Sequence, residues 1–340
     1  MKKWLLICVM TLTIVSFRTL TEENPADQAA ISLAIDKGIR LLQPSDRLFL
    51  ENAGTCHSCH HQDLTAISMF RAKEKGFTIN DTIYQETIKS IIATVNTRRA
   101  TNTQFNDPVA IVMSGSYATW ALSEVNYPAS RSLELLARNL MQRQTANGSW
   151  VSPNPRPPLE YYAFTATALV VKAINDYIPG NLKEEGAKKI ARARTWMENE
   201  IPEANEEKVF QLLGLHWAGG NKEILHKQAL KLVAAQRPDG GWSQLDSLPT
   251  DAYATGQSLY ALVETGQIKT TDPAYLKGIA FLLKNQYPDG SWRVISRSFP
   301  SVPFVETGFP EGDHQFISAA ASNWALLALI QASERNGGSR

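Results

Sequence analysis

Apolar residues recur at helical spacing through most of the chain. Ile31, Ala34, Ile35, Ile39 and Leu42 mark one face of a helix over Ala29 to Leu42, and Pro44 is expected to stop it. A loop from Ser45 to Thr55 is expected next. Helices follow over Asp63 to Lys75, closed by Gly76, and Thr82 to Val95, with Asp81 as its N-cap. Asn96 to Asp107 reads as a polar linker. Further helices are predicted over Val109 to Val125, Ser130 to Gln144, Leu159 to Tyr177, Lys183 to Glu200 and Glu206 to Trp217. The last four run over Lys222 to Gln236, Asp251 to Glu264, Tyr275 to Gln286 and His314 to Ala332. Taken in order they make about six helix pairs.

The junctions repeat. Gln286-Tyr287-Pro288-Asp289-Gly290-Ser291-Trp292 is nearly a copy of Gln236-Arg237-Pro238-Asp239-Gly240-Gly241-Trp242. A third version is Gln144-Thr145-Ala146-Asn147-Gly148-Ser149-Trp150, and a decayed one is Ile201-Pro202-Glu203. Each intact copy ends an apolar helix with a glycine that supplies a positive φ, then sets a Trp at a fixed place. The helices that follow share small residues: Thr165-Ala166-Thr167, Ala254-Thr255-Gly256 and Ala320-Ala321-Ser322. Repetition of a helix–turn unit signals a repeat architecture.

The motif Gln-x-x-(Asp/Asn)-Gly-x-Trp resembles the QW motif of squalene-hopene cyclases and related prenyltransferase-like chains. The likeness extends over residues 110–334, and the toroid it implies would run over 27–334. It implies an all-α fold, an (α/α)6-like toroid of two concentric helix rings around a central cavity, with the small-residue helices inside. It also implies that each Gln caps a neighbouring helix with the Trp stacked over it. Apolar isoprenoid-type molecules are the ligands such a resemblance suggests.

Arg293 to Asp313 interrupts the repeat with a long connection that has no helical period. Loops of this length within a compact domain are usually functional or disordered, and Phe299, Phe304 and Phe309 argue against disorder. An apolar ligand is therefore expected to touch Arg297 to His314.

Composition adds limits. A net charge of +1 gives no field for nucleic acid, and no P-loop or Gly-x-Gly-x-x-Gly is present. Met1-Lys2-Lys3 followed by the apolar run Trp4 to Phe17 reads as an export signal over 1–20, or as an N-terminal anchor if uncleaved. That N-terminus is the membrane contact expected. Cys8 would leave with the signal. The other two cysteines lie in Cys56-His57-Ser58-Cys59-His60-His61.

Cys-x-x-Cys-His is the attachment pattern of a c-type haem. It predicts thioethers on Cys56 and Cys59 and His60 as the proximal iron ligand, in an exported, periplasmic or extracytoplasmic chain with a redox partner. Met69, Met113 and His314 are candidate distal ligands, and His61 is not. Zinc held by residues of the same motif and a Cys56–Cys59 disulfide are the alternatives.

The cyclases' Asp-x-Asp-Asp acid is absent. The nearest counterpart is the single carboxyl of Asp251, expected to cap its helix rather than to act as a strong acid. The zinc site of the prenyltransferases has no free cysteine outside the Cys56 motif. Glu306, Asp313 and His314 beside Phe304 and Phe309 form the other candidate cluster, with local helix capping as its structural alternative. Two functions follow: a haem-carrying redox or ligand-binding toroid, and a cofactor-free cyclase- or transferase-like enzyme or binding module for an apolar isoprenoid-type ligand.

Overall fold

A computed structural model describes residues 27–54, 58–104, 111–152, 156–299 and 304–335. The signal segment, Cys56, His57 and part of the Arg293 to Asp313 connection lie outside them. Among the described residues the elements are helical, apart from one isolated β-bridge between Trp242 and Asp251.

The helices are α1 (Gln28–Asn52), α2 (Leu64–Glu74), α3 (Asp81–Thr97), the short α4 (Arg99–Gln104), α5 (Ile111–Glu124), α6 (Arg131–Gln142) and α7 (Ala163–Tyr177). They continue as α8 (Lys183–Asn199), α9 (Asn205–Trp217), α10 (Lys222–Ala234), α11 (Ala252–Glu264), α12 (Pro273–Lys284) and α13 (Gln315–Ala332). The inner ring is α2, α5, α7, α9, α11 and α13, each packed on the next, with α13 returning to α2. Around it, α1, α3, α6, α8 and α12 each lie between two inner helices, and α10 lies on α9. The chain is an all-α toroid of two concentric rings.

Burial follows from this placement. In α13 nearly every residue from Ile317 to Ile330 is buried, as a helix surrounded on all sides requires. In α8 the buried residues are Gly186, Ala193 and Met197, a single stripe. Small residues set the inner spacing. A Cβ on Gly256 of α11 would lie 2.5 Å from the backbone of Trp324 in α13, so these helices touch main chain to main chain.

The three repeat turns are built alike. Gln144, Gln236 and Gln286 donate through Nε2 to the carbonyls of Lys189, Ala274 and Ala34, each in the next outer helix. Trp150, Trp242 and Trp292 donate through Nε1 to Leu140, Leu232 and Leu282 of the preceding outer helix. Their backbone amides donate to the hydroxyls of Thr167, Thr255 and Ser322 in the following inner helix. Each turn thus binds three helices. The turn glycines have φ of 100°, 92° and 98°, and a Cβ would meet the carbonyl oxygen of Arg192, Lys277 or Lys37 at 2.7, 2.5 or 2.6 Å. The third turn docks on α1, so it closes the ring. At the decayed fourth junction Gln211 of α9 substitutes, donating to the carbonyls of Met197 and Glu200.

Several expected boundaries move. Pro44 lies inside α1, which runs on to Asn52. Proline removes one backbone hydrogen bond, but side chains on either side of it hold the helix. Gln43 exchanges two hydrogen bonds with the backbone of Asn80, and Asp46 accepts from Thr87 and Gln62. The loop expected over Ser45 to Thr55 is therefore mostly helix. The N-cap of α3 is Asn80, which accepts from the amide of Ile83, rather than Asp81. The linker from Asn96 contains α4.

Candidate functional site

Alternating outer and inner helices bring the N-termini of all inner helices to one end of the toroid. Thr165 of α7, Glu206 of α9 and Tyr253 of α11 meet there. Glu206 is buried. Its Oε1 accepts from Thr165 Oγ1 at 3.0 Å; its Oε2 accepts from Tyr253 Oη at 2.9 Å and Gln257 Nε2 at 2.7 Å. Burial pushes this carboxyl up to about 7, against the three donors and Arg297. Asp251, at the start of α11, accepts from the amide of Ala254 and from Gln244 Nε2. Burial pushes it up to about 6. The expected helix cap is present, with the unexpected addition of a raised pKa.

Arg297 ties this cluster to the long connection. It donates to Gln244 Oε1 at 2.8 Å and to Tyr162 Oη at 3.0 Å. Ser298 donates to the carbonyl of Pro157. In ring order α7 stands opposite α13, so a segment leading into α13 that grips Tyr162 and Pro157 crosses the mouth. Arg156 adds a second crossing contact, its guanidinium 5.1 Å over the Phe316 ring. On the near side Asn52 of α1 donates to the carbonyl of Glu306, and Arg293 pairs with Glu311 at 2.8 Å. The described parts of the connection, 293–299 and 304–313, form a strap over the mouth. Ile295, Phe299 and Phe304 are exposed on it, and Val151 and Tyr161 are exposed beside α7.

Below the mouth the axis is filled by rings from non-neighbouring helices. Trp120 and Trp324 are 5.8 Å apart, Trp120 and Tyr260 6.4 Å, and Phe210 and Trp324 6.3 Å. The central cavity implied by the QW resemblance is thus closed at this level. At the far end Arg71 bridges Glu124 and Glu264 at 2.5 and 3.2 Å, beside an open cavity of about 160 Å³.

Glu306 and His314, predicted together, take separate partners. Glu306 is exposed and accepts from Gly308 of its own loop; Asp313 is exposed; His314 Nδ1 accepts from the amide of Ser296. Met69 and Met113 are buried in α2 and α5. Residues Cys59–Asp63 form a π-helical turn at the head of α2, where Ser58 donates its amide to Gln62 Oε1. His61 is buried and stacked on Phe49 at 4.9 Å, and burial pushes its pKa down to about 3. Among the described residues no group of three His, Cys, Asp or Glu is placed to hold a metal ion, and no helix is long and apolar enough to cross a membrane.

Sequence reasoning missed Glu206 and Gln257, and had Arg297 only as one end of the ligand-touching connection. The signal was a shared register. Met113, Tyr117, Trp120 and Glu124 in α5 repeat the spacing of Tyr253, Gln257, Tyr260 and Glu264 in α11, and Glu206, Phe210 and Trp217 in α9 follow it.

The fold has solved counterparts. It is similar to the type II terpene cyclase MstE from Scytonema, with a TM-score of 0.55 and 14% identity over 90% of this chain and 98% of that one. A structure of a single-residue variant of that enzyme, in complex with geranylgeranyl dihydroxybenzoate as substrate, gives a TM-score of 0.53 and 14% identity, over 90% and 98% of the two chains. Lanosterol synthase from Candida albicans (strain SC5314 / ATCC MYA-2876) is 34% identical over 97 residues, 25% of this chain. That match spans 13% of the synthase's length. No protein-family model matches the chain. The class defined by fold and packing is a terpene-cyclase-like α/α toroid.

Proposed function

We propose that the strapped mouth binds an apolar, isoprenoid-type molecule, with its polar end directed to Glu206. The observation that carries this is a fully buried carboxyl, held by three side-chain donors, beneath a strap that spans the inner ring. The exposed aromatic and aliphatic side chains around the mouth supply apolar contact. The geranylgeranyl compound bound by the similar toroid supports the ligand class. A carboxyl raised to about 7 is too weak an acid to protonate an unactivated alkene, so binding and proton exchange with a polarised oxygen are the roles it suits. Titration of the intrinsic tryptophan fluorescence with farnesyl and geranylgeranyl compounds tests the reading. Saturable micromolar binding, weakened by Phe299→Ala with Phe304→Ala, is expected; no binding by any isoprenoid would sink it.

The Cys-x-x-Cys-His motif supports a second reading, a c-type haem on Cys56 and Cys59 with His60 as proximal ligand. It is favoured by the π-turn at the head of an inner helix, since such turns concentrate at functional sites. Two described features support it: Gln62 holds the turn, and the imidazole of His61 packs in the interior against Phe49. A bound haem would supply one-electron transfer or small-ligand binding. This reading places the chain outside the cytoplasm with a redox partner. Intact mass after co-expression with a cytochrome c maturation system should show one haem, lost together with the Soret band in Cys56→Ala/Cys59→Ala. A parent chain carrying zinc or a disulfide instead would overturn it.

A further inference from the structure

Resting on the isoprenoid reading of the mouth, the next question is which polar end the site accepts. Gln257 lies in the middle of the Glu206 network and is fully buried. Its Nε2 donates to Glu206, and its Oε1 has no hydrogen-bond partner. A buried carbonyl oxygen without a donor is costly, so a ligand group that supplies a donor there relieves that cost.

Turning the amide does not remove the mismatch. With Oε1 accepting a proton from a protonated Glu206, Nε2 becomes the unmatched group instead. In either state one atom of Gln257 is left over, an acceptor in the first and a donor in the second. A hydroxyl serves both states, because it donates and accepts. An ether oxygen or an ester only accepts. A hydrocarbon does neither.

The charges around Gln257 narrow the choice further. Glu206 and Asp251 put two carboxyls at the mouth. Arg297, the cation that faces both, is committed to Gln244 and Tyr162. A diphosphate would bring at least two more negative charges beside two carboxyls, with the one guanidinium of Arg297 set against all of them. We infer that the natural ligand class is an isoprenoid alcohol, bound with its hydroxyl on Gln257 beside Glu206, and not an isoprenoid diphosphate or hydrocarbon.

The test compares four probes of one chain length on the full-length protein: farnesol, its methyl ether, farnesyl diphosphate and farnesene. Farnesol is expected to bind most tightly, about tenfold better than the ether, the upper range for one net hydrogen bond. Gln257→Leu should bring the alcohol down to the ether's affinity. Its melting temperature is recorded alongside, and if the variant does not fold, the parent's alcohol-to-ether ratio still decides. Equal binding of alcohol and ether, or tighter binding of the diphosphate, would overturn the alcohol assignment and leave the isoprenoid reading standing. Failure of all four probes would remove both.

Discussion

Trp242→Ala tests the repeat turn as the unit that holds the rings together. The indole is fully buried, and its Nε1 donates to the carbonyl of Leu232 at 2.7 Å. Truncating a buried Trp costs about 3–5 kcal/mol through lost transfer energy and the cavity left behind. The Leu232 carbonyl loses its side-chain donor at the end of α10, which adds about 1 kcal/mol. The sum is about 4–6 kcal/mol. Unfolding entropy of about 2.1 cal/mol/K per residue, over roughly 300 ordered residues, makes this a fall of about 6–10 °C in melting temperature. Differential scanning calorimetry reads it, with Tyr287→Ala as the control, since Tyr287 occupies the third turn but is exposed. The control should move the melting temperature by less than about 1 °C. A Trp242→Ala melt within about 2 °C of the parent would refute the view that the turn binds three helices.

Other outcomes follow from the same packing. Glu206 has a folded pKa of about 7 against an ordinary 4.5, so native protein holds its proton where unfolded protein has released it. Its contribution is present below about pH 4.5 and lost as pH rises through 7, a change of roughly 3 kcal/mol. Asp46 and Asp251 act with the same sign and His61 with the opposite one below pH 6.5, so the readout is parent minus Glu206→Gln across pH 4.5–7.5, which should slope downward; a flat difference would contradict it. Gly290→Ala should cost several kcal/mol, because φ is 98° and the new Cβ meets the Lys37 carbonyl; Gly54→Ala, with φ of 63° and open space, should cost about 1 kcal/mol by chemical denaturation. Arg297→Met should speed proteolysis within the strap without a matching loss of helix signal; unchanged cleavage would mean that Arg297 does not hold it.

The parts of the fold legible in the sequence were those written in local chemistry. The Asp-Gly and Asn-Gly turns marked the ends of outer helices, and Thr167, Thr255 and Ser322 lay within the small-residue segments that marked the inner ring. Pro44 misled because its local rule concerns one amide, whereas α1 is held through that point by Gln43 and Asp46 gripping other elements. Glu206 looked like an acid in a helix's first turn. Its burial depends on α7 and α11 standing on either side, contacts made with residues some forty to fifty positions away. Glu306 and His314 are close in sequence, yet Glu306 accepts from Gly308 while His314 accepts from Ser296, a difference set by the path of the connection and not by local spacing.

Ring closure has a consequence for the order of the helices. The third turn grips α1 in the way the first grips α8 and the second α12, so the geometry does not distinguish the covalent junctions from the open one. At that open junction Gln28 already donates to the carbonyl of Ala332 and accepts from the amide of Glu334. The molecule is a necklace whose clasp has the same links as its string. A short linker from Glu334 to Asp27, with new ends cut at the decayed junction around Pro202, would move the clasp without changing a bead.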